Sequence, residues 1–199
     1  INIDPILDDI STRLNNYPFN DLVFNESNSN TYIIDAHWAL YCENYLEGFH
    51  VPFLHKGLNN DISLNSYKTD ILDHGVVQYT KGQLDNGLTQ VLDNDIYAYY
   101  YWIFPNLMLN FYNWGLSINI IEPLTKNKTR IKFLSFPFKG TNQPSNNSSS
   151  LDKIELEDQE IVLNVQKGVT SHNYNGGRYS PEHERGVHYF HQLLSRYLN

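Results

Sequence analysis

Cysteine occurs once in the 199 residues, at Cys42, and methionine once. A lone cysteine excludes an internal disulfide, a four-cysteine zinc site and an iron–sulfur cluster held by this chain alone. It fits a reducing compartment, read here as the cytoplasm. Positive charge is scarce as well: fourteen Lys and Arg stand against twenty-two Asp and Glu, for a net charge of −8. That balance argues against nucleic acid, whose phosphates need a Lys/Arg surface. No basic-then-apolar leader is visible, and a first residue of Ile1 rather than Met points to chain removed upstream. At 23.2 kDa the expectation is one domain over residues 1–199, with enough chain to close a core.

Aromatic residues are plentiful, with fifteen Tyr and ten Phe, a composition suited to strands or to a ring-lined pocket. Residues 96–121 carry no charged side chain, yet Pro105, Asn106, Asn110, Asn113, Gly115 and Asn119 interrupt the run. Those groups would be costly in lipid, so no membrane span is expected. The stretches YAYYYWIF, LMLNFY and LSINIIEPL read as successive antiparallel strands with turns at Pro105-Asn106 and Asn113-Trp114-Gly115, and TRIKFLSFPF (129–138) as a further strand. Helical spacing marks about 6–14, Trp38 to about Phe49, about 150–169, and a segment opening at Ser180-Pro181 and running to Leu198. Asn25–Asn30 reads as a loop, as does GTNQPSNNSSS (140–150). Helix, strands and then helices make an α+β fold.

The chemistry-bearing segment is CENYLEGFHVPFLH, Cys42 to His55. Glu47 and His50 lie three apart and would share a helix face. His50 and His55 lie five apart, about 140° from each other on an unbroken helix. Pro52 prevents an unbroken helix, so a turn after His50 can bring the two imidazoles together. Two histidines and a carboxylate form the facial triad that holds non-haem Fe(II) with open positions. Asp158 is the leading remote acid, and Asp152, Glu155, Glu157 and Glu160 compete with it on these grounds. Spacing alone leaves ordinary surface or hydrogen-bonded histidines open for the pair. It leaves a solvated helix face open for the acids. His183, His188 and His191 have a spacing that could serve a second metal, but no acid or cysteine clearly converges on them. Cys42 reads as a small buried hydrophobe.

Three segments carry a resemblance to a known family. HWALYCENYLEGFHVPFLHKGLN (37–59) resembles the iron-histidine segment of Rieske non-haem iron oxygenase α subunits. FPNLMLNFYNWGLSINIIEPL (104–124) resembles their sheet strands. LEDQEIVLNVQKGVTSHNYNGGRYSPEHERGVHYFHQLLSRYL (156–198) resembles their closing segment. The resemblance implies a helix-grip (START/Bet v 1-like) fold, an antiparallel sheet curved around a long C-terminal helix, and commonly a homotrimer. It implies mononuclear Fe(II) on His50, His55 and Asp158. Glu47 falls where the family places a carboxylate between that iron and a neighbouring subunit's Rieske cluster, and Asn44 belongs to the same Glu-Asn signature. The 2Fe–2S cluster would sit on a Rieske domain outside this chain, in the same longer polypeptide or a neighbouring subunit. Electrons would come from a ferredoxin or flavin reductase, and O2 and a small organic molecule would be the substrates. Glutamate at position 47 and the GGRYSPEHERGVHYFH ending resemble the branch acting on choline, betaines and carnitine by hydroxylation or N-demethylation. An aromatic-ring-hydroxylating dioxygenase α subunit is the alternative within the family. A non-catalytic helix-grip module binding hydrophobic ligands is the alternative outside it.

Overall fold

The computed structural model describes residues 1–51, 66–82, 89–93, 95–141 and 151–198. Seven strands form one antiparallel sheet. They are β1 (Asn25–Ile34), β2 (Lys68–Leu72), β3 (Gly75–Lys81), β4 (Ile96–Ile103), β5 (Leu107–Tyr112), β6 (Gly115–Thr125) and β7 (Lys128–Pro137). Their order is β1-β7-β6-β5-β4-β3-β2, so every pair except β1–β7 joins sequence neighbours. The helices are α1 (Asp4–Arg13), α2 (Trp38–Tyr45), α3 (Leu151–Val169) and α4 (Arg185–Leu198).

The charge-free run is β4, β5 and the first part of β6, wound as hairpins in the middle of the sheet. Both faces of these strands are covered, which explains why they read as continuously apolar rather than alternating. On one face Ile6, Ile10 and Leu14 of the α1 segment pack on Val77, Tyr101, Ile103 and Phe111. On the other, α2, α3 and α4 contribute Leu40, Cys42, Val162 and Phe190 to a core with Trp102, Met108, Ile121 and Ile131. The turn into β6 needs glycine: Gly115 has φ +148°, and a Cβ there would stand 2.3 Å from the Phe136 carbonyl oxygen. Among the described residues no helix is long and apolar enough to cross a membrane.

Several expectations from sequence need correction. Asn25–Asn30 opens a strand, not a loop; β1 is an edge strand with a bulge between Asn25 and Asn30, and its polar residues face solvent. Strands β2 and β3 had no counterpart in the sequence reading. The helix expected to reach Phe49 stops at Tyr45, because the Glu47 carboxylate accepts the backbone N–H groups of Phe49 and His50 and turns the chain. The last helix starts at Arg185, not at Pro181: Ser180 and Glu184 close a separate turn, with Ser180 N–H donating to Glu184 Oε2 at 2.6 Å. Cys42 is fully buried, as expected, and burial pushes its thiol far above the usual range.

Candidate functional site

Helix α2 and the turn that follows it stand beside α3 over the sheet, and a cavity of about 110 Å³ opens between them. Its floor comes from the central strands, where the alternation of β4 and β5 turns Tyr100, Asn110 and Tyr112 toward it. Its roof comes from Tyr41, Asn44 and Tyr45 of α2, from Glu47 and His50 beyond it, and from Glu155 and Asp158 of α3.

His50 Nε2 lies 3.5 Å from Asp158 Oδ1. The other ring nitrogen, Nδ1, contacts Glu47 Oε1, and Glu47 Oε2 accepts the His50 backbone N–H at 3.1 Å. Glu47 therefore meets His50 by capping a turn, not by sharing a helix face. On the far side, Asn44 Nδ2 donates to Asp158 Oδ1 at 2.7 Å. Burial of His50 opposes its charge, but hydrogen bonds to Asp158 and Glu47, with the charges behind them, prevail and raise it from 6.5 to about 9.

Among the competing acids, Glu155 also reaches the cavity, where the Tyr41 hydroxyl donates to its Oε2 at 2.9 Å. Burial, reinforced by the Glu155 and Asp158 charges, holds the Tyr41 phenol well above its ordinary range and keeps it protonated. Glu160 is exposed on the outer side of α3, and nothing brings Glu157 to the cavity lining. His55 lies outside the described residues. Among those described, no set of three His, Cys, Asp or Glu side chains converges as a metal site. His183, His188 and His191 do not converge either. His183 lies tilted against the Phe49 ring, His188 tilted against Tyr179, and His191 bridges Tyr179 to Glu43, 2.8 Å away.

The sequence reading missed the cavity's polar floor. Gln78, Asn110 and Asn119 are buried on β3, β5 and β6. The Tyr45 hydroxyl donates to Asn110 Oδ1 at 2.7 Å, and Gln78 Nε2 donates to the Tyr45 carbonyl at 2.7 Å. The available signal was an amide at inward positions of otherwise apolar strands, which a closed core would not tolerate.

A nitrogen and a carboxylate oxygen face each other at the cavity wall, each held from behind by a neutral amide or a carboxylate. These are two of the three donors that a facial-triad iron uses, one imidazole and one carboxylate, and their hydrogen-bonded supports are those metal-binding histidines and carboxylates usually have. The pair therefore fits a mononuclear iron.

Residues 24–199 match the ring hydroxylating alpha subunit (catalytic domain) family, and the chain belongs to it. That family pairs mononuclear Fe(II) in this domain with a Rieske 2Fe–2S cluster in a partner domain. The chain is 31% identical over 175 residues to a chloroplastic choline monooxygenase of Arabidopsis thaliana, covering 84% of this chain and 40% of the relative. It is 25% identical over 174 residues to the carnitine monooxygenase oxygenase subunit of Escherichia coli K12, covering 81% and 46%. The chain thus spans less than half the length of these two relatives. Among solved structures, a quaternary ammonium Rieske monooxygenase superposes with TM-score 0.77 at 21% identity, over 98% of this chain and 56% of that one. Naphthalene 1,2-dioxygenase from Rhodococcus superposes with TM-score 0.56 at 14% identity, over 89% and 56%. These likenesses carry the helix-grip fold.

Proposed function

We propose that residues 1–199 form the catalytic domain of a Rieske-type oxygenase acting on a small quaternary ammonium compound by hydroxylation or N-demethylation. The observation that carries it is the His50–Asp158 pair at the wall of a tyrosine-lined cavity. His50, His55 and Asp158 would hold the Fe(II), which supplies O2 activation when bound. The chain's own residues prepare the site. Asn44 fixes one Asp158 oxygen, and Glu47 fixes the His50 ring through Nδ1, leaving Nε2 for the metal side. Glu47 is also the residue we assign to the hydrogen-bonded bridge toward a Rieske cluster histidine of a neighbouring subunit. The Rieske domain, a homotrimeric assembly, a ferredoxin or flavin reductase as donor, and a cytoplasmic site of action belong to the same proposal.

Phenol faces attract a cation that carries no hydrogen-bonding protons. Tyr45 and Tyr100 stand edge to face at 6.5 Å between ring centroids, and Tyr100 and Tyr112 at 5.9 Å. Glu155, on the same wall, adds negative charge. Two of the named relatives, the choline and carnitine enzymes, support this substrate class over an aromatic ring.

Anaerobic titration with Fe(II) tests the reading. One tightly bound iron per chain is expected, with occupancy lost in His50→Ala and in Asp158→Ala. Full iron content in either variant removes that residue from the ligand set. No iron uptake by the unaltered protein would leave a ligand-binding module on the same fold.

A further inference from the structure

Gln78, on the cavity wall, carries a buried side-chain oxygen whose hydrogen bonding does not close among the described residues. It lies on β3, lines the cavity and is 1% exposed. Its Nε2 donates to the Tyr45 carbonyl at 2.7 Å, which fixes the two ends of the amide, since only the nitrogen end can donate. The remaining end, Oε1, is a buried acceptor with no hydrogen-bond partner among the described residues. The other amides of the cavity floor are engaged: Asn110 Oδ1 accepts the Tyr45 hydroxyl, and Asn119 Oδ1 accepts Asn110 Nδ2 and the Ser117 hydroxyl. A buried acceptor left open is costly, and a donor brought to it removes that cost.

Charge supplies a second, independent observation. Glu47, Glu155 and Asp158 line the cavity, and among the described lining residues there is no Lys or Arg. The phenol protons of Tyr41 and Tyr45 are already given to Glu155 and Asn110. Glu47 and Asp158 are paired with His50, so Glu155 is the like charge that a ligand carboxylate would meet as it loses its water. A neutral hydroxyl donor carries no such charge.

Resting on the quaternary ammonium reading above, we propose that Gln78 is a specificity-determining residue of this cavity. Its Oε1 accepts the hydroxyl proton of a quaternary ammonium alcohol, and the acidic wall around it disfavours quaternary ammonium carboxylates.

Calorimetric binding to the purified protein, with choline, O-methylcholine, carnitine, tetramethylammonium and naphthalene as probes, tests this without turnover. O-methylcholine keeps the cation and the oxygen of choline but lacks the donated proton. Choline is expected to bind about tenfold more tightly than O-methylcholine, the effect of one hydrogen bond to a buried group, and carnitine more weakly than either. Gln78→Met is expected to bring the choline to O-methylcholine ratio to about one. Equal binding of choline and O-methylcholine, or carnitine binding as tight as choline, overturns the role of Gln78 while tetramethylammonium binding keeps the quaternary ammonium reading. Binding of naphthalene with none of the cations overturns both. Because the ligand pair itself deletes the donor, the result does not depend on the Gln78→Met variant folding.

Discussion

Asn44 and Glu47 reach the candidate iron site through hydrogen bonds to Asp158 and His50. Asn44 holds Asp158 from one side and Glu47 holds His50 from the other, so each fixes a direction of approach that the ligand could not keep alone. Replacing such a support usually costs 10–100-fold in metal affinity. Asn44→Ala is therefore expected to weaken Fe(II) binding by about tenfold or more, measured by competition with a chelator, with the fold intact by circular dichroism. Unchanged affinity would make Asn44 dispensable to Asp158. Acidity gives a second expectation, for the metal-free protein. His50 is lifted from 6.5 to about 9 by Asp158 and Glu47, so its charged form stabilises the fold fully below about pH 6.5. That contribution fades as pH rises through about 9. Thermal unfolding of the metal-free protein should shift to lower temperature across this window, and His50→Gln should flatten the shift.

At the scale of elements, the decisive contact is between α4 and the end of α2. A Cβ built on Gly186 would stand 2.6 Å from the Leu46 carbonyl oxygen, one residue before Glu47. Gly186→Ala must push α4 away from the turn that presents Glu47 and His50. It is expected to cost roughly 1–3 kcal/mol of stability, the range for overpacking a close contact, read from urea unfolding, and to lower iron affinity with it. Loss of stability alone, with iron affinity intact, would show that the turn is held by its own hydrogen bonds.

These elements also show what could be read in advance. The hairpins β4–β5–β6 and helix α3 were legible because periodicity and turn residues agree there within a residue or two. β1 was not, because NESNSNTYII lies at a sheet edge, where polar residues suit solvent and local sequence looks like a turn. The end of α2 was not, because a side chain two residues beyond the helix determines it. His50, Glu47, Asn44 and Asp158 stood out as residues, yet their contacts did not. Asp158 was singled out among five acids of α3 by resemblance. What brings Asp158 to His50 is the crossing of α3 over α2, a long-range fact.

For the whole molecule, the question is how the proposed iron site would draw on chain beyond this domain. Glu47 is partly buried and already engaged with His50, so its remaining capacity for a hydrogen bond is directional. Glu47→Gln retains the shape and one acceptor oxygen but removes the charge. In the proposed oxygenase assembly, loaded with saturating Fe(II), it is expected to lower turnover by at least tenfold, with single-turnover reoxidation of the cluster slowed to match. Unchanged electron transfer would remove Glu47 from the bridge.

The eight residues of β4 also serve two surfaces at once. Tyr99 and Tyr101 face the α1 side, where the Tyr101 hydroxyl donates to Asp9 and Arg13 lies over the Tyr79 ring. Tyr100, between them, faces the cavity. The same strand is thus a ruler graduated on both edges, and a one-residue insertion or deletion would exchange the two scales, sending anchoring phenols into the ligand space and the ligand's ring into the rear clamp. Divergence of this domain toward new ligands is confined to substitutions at alternate positions. Length changes must be absorbed outside the central hairpins.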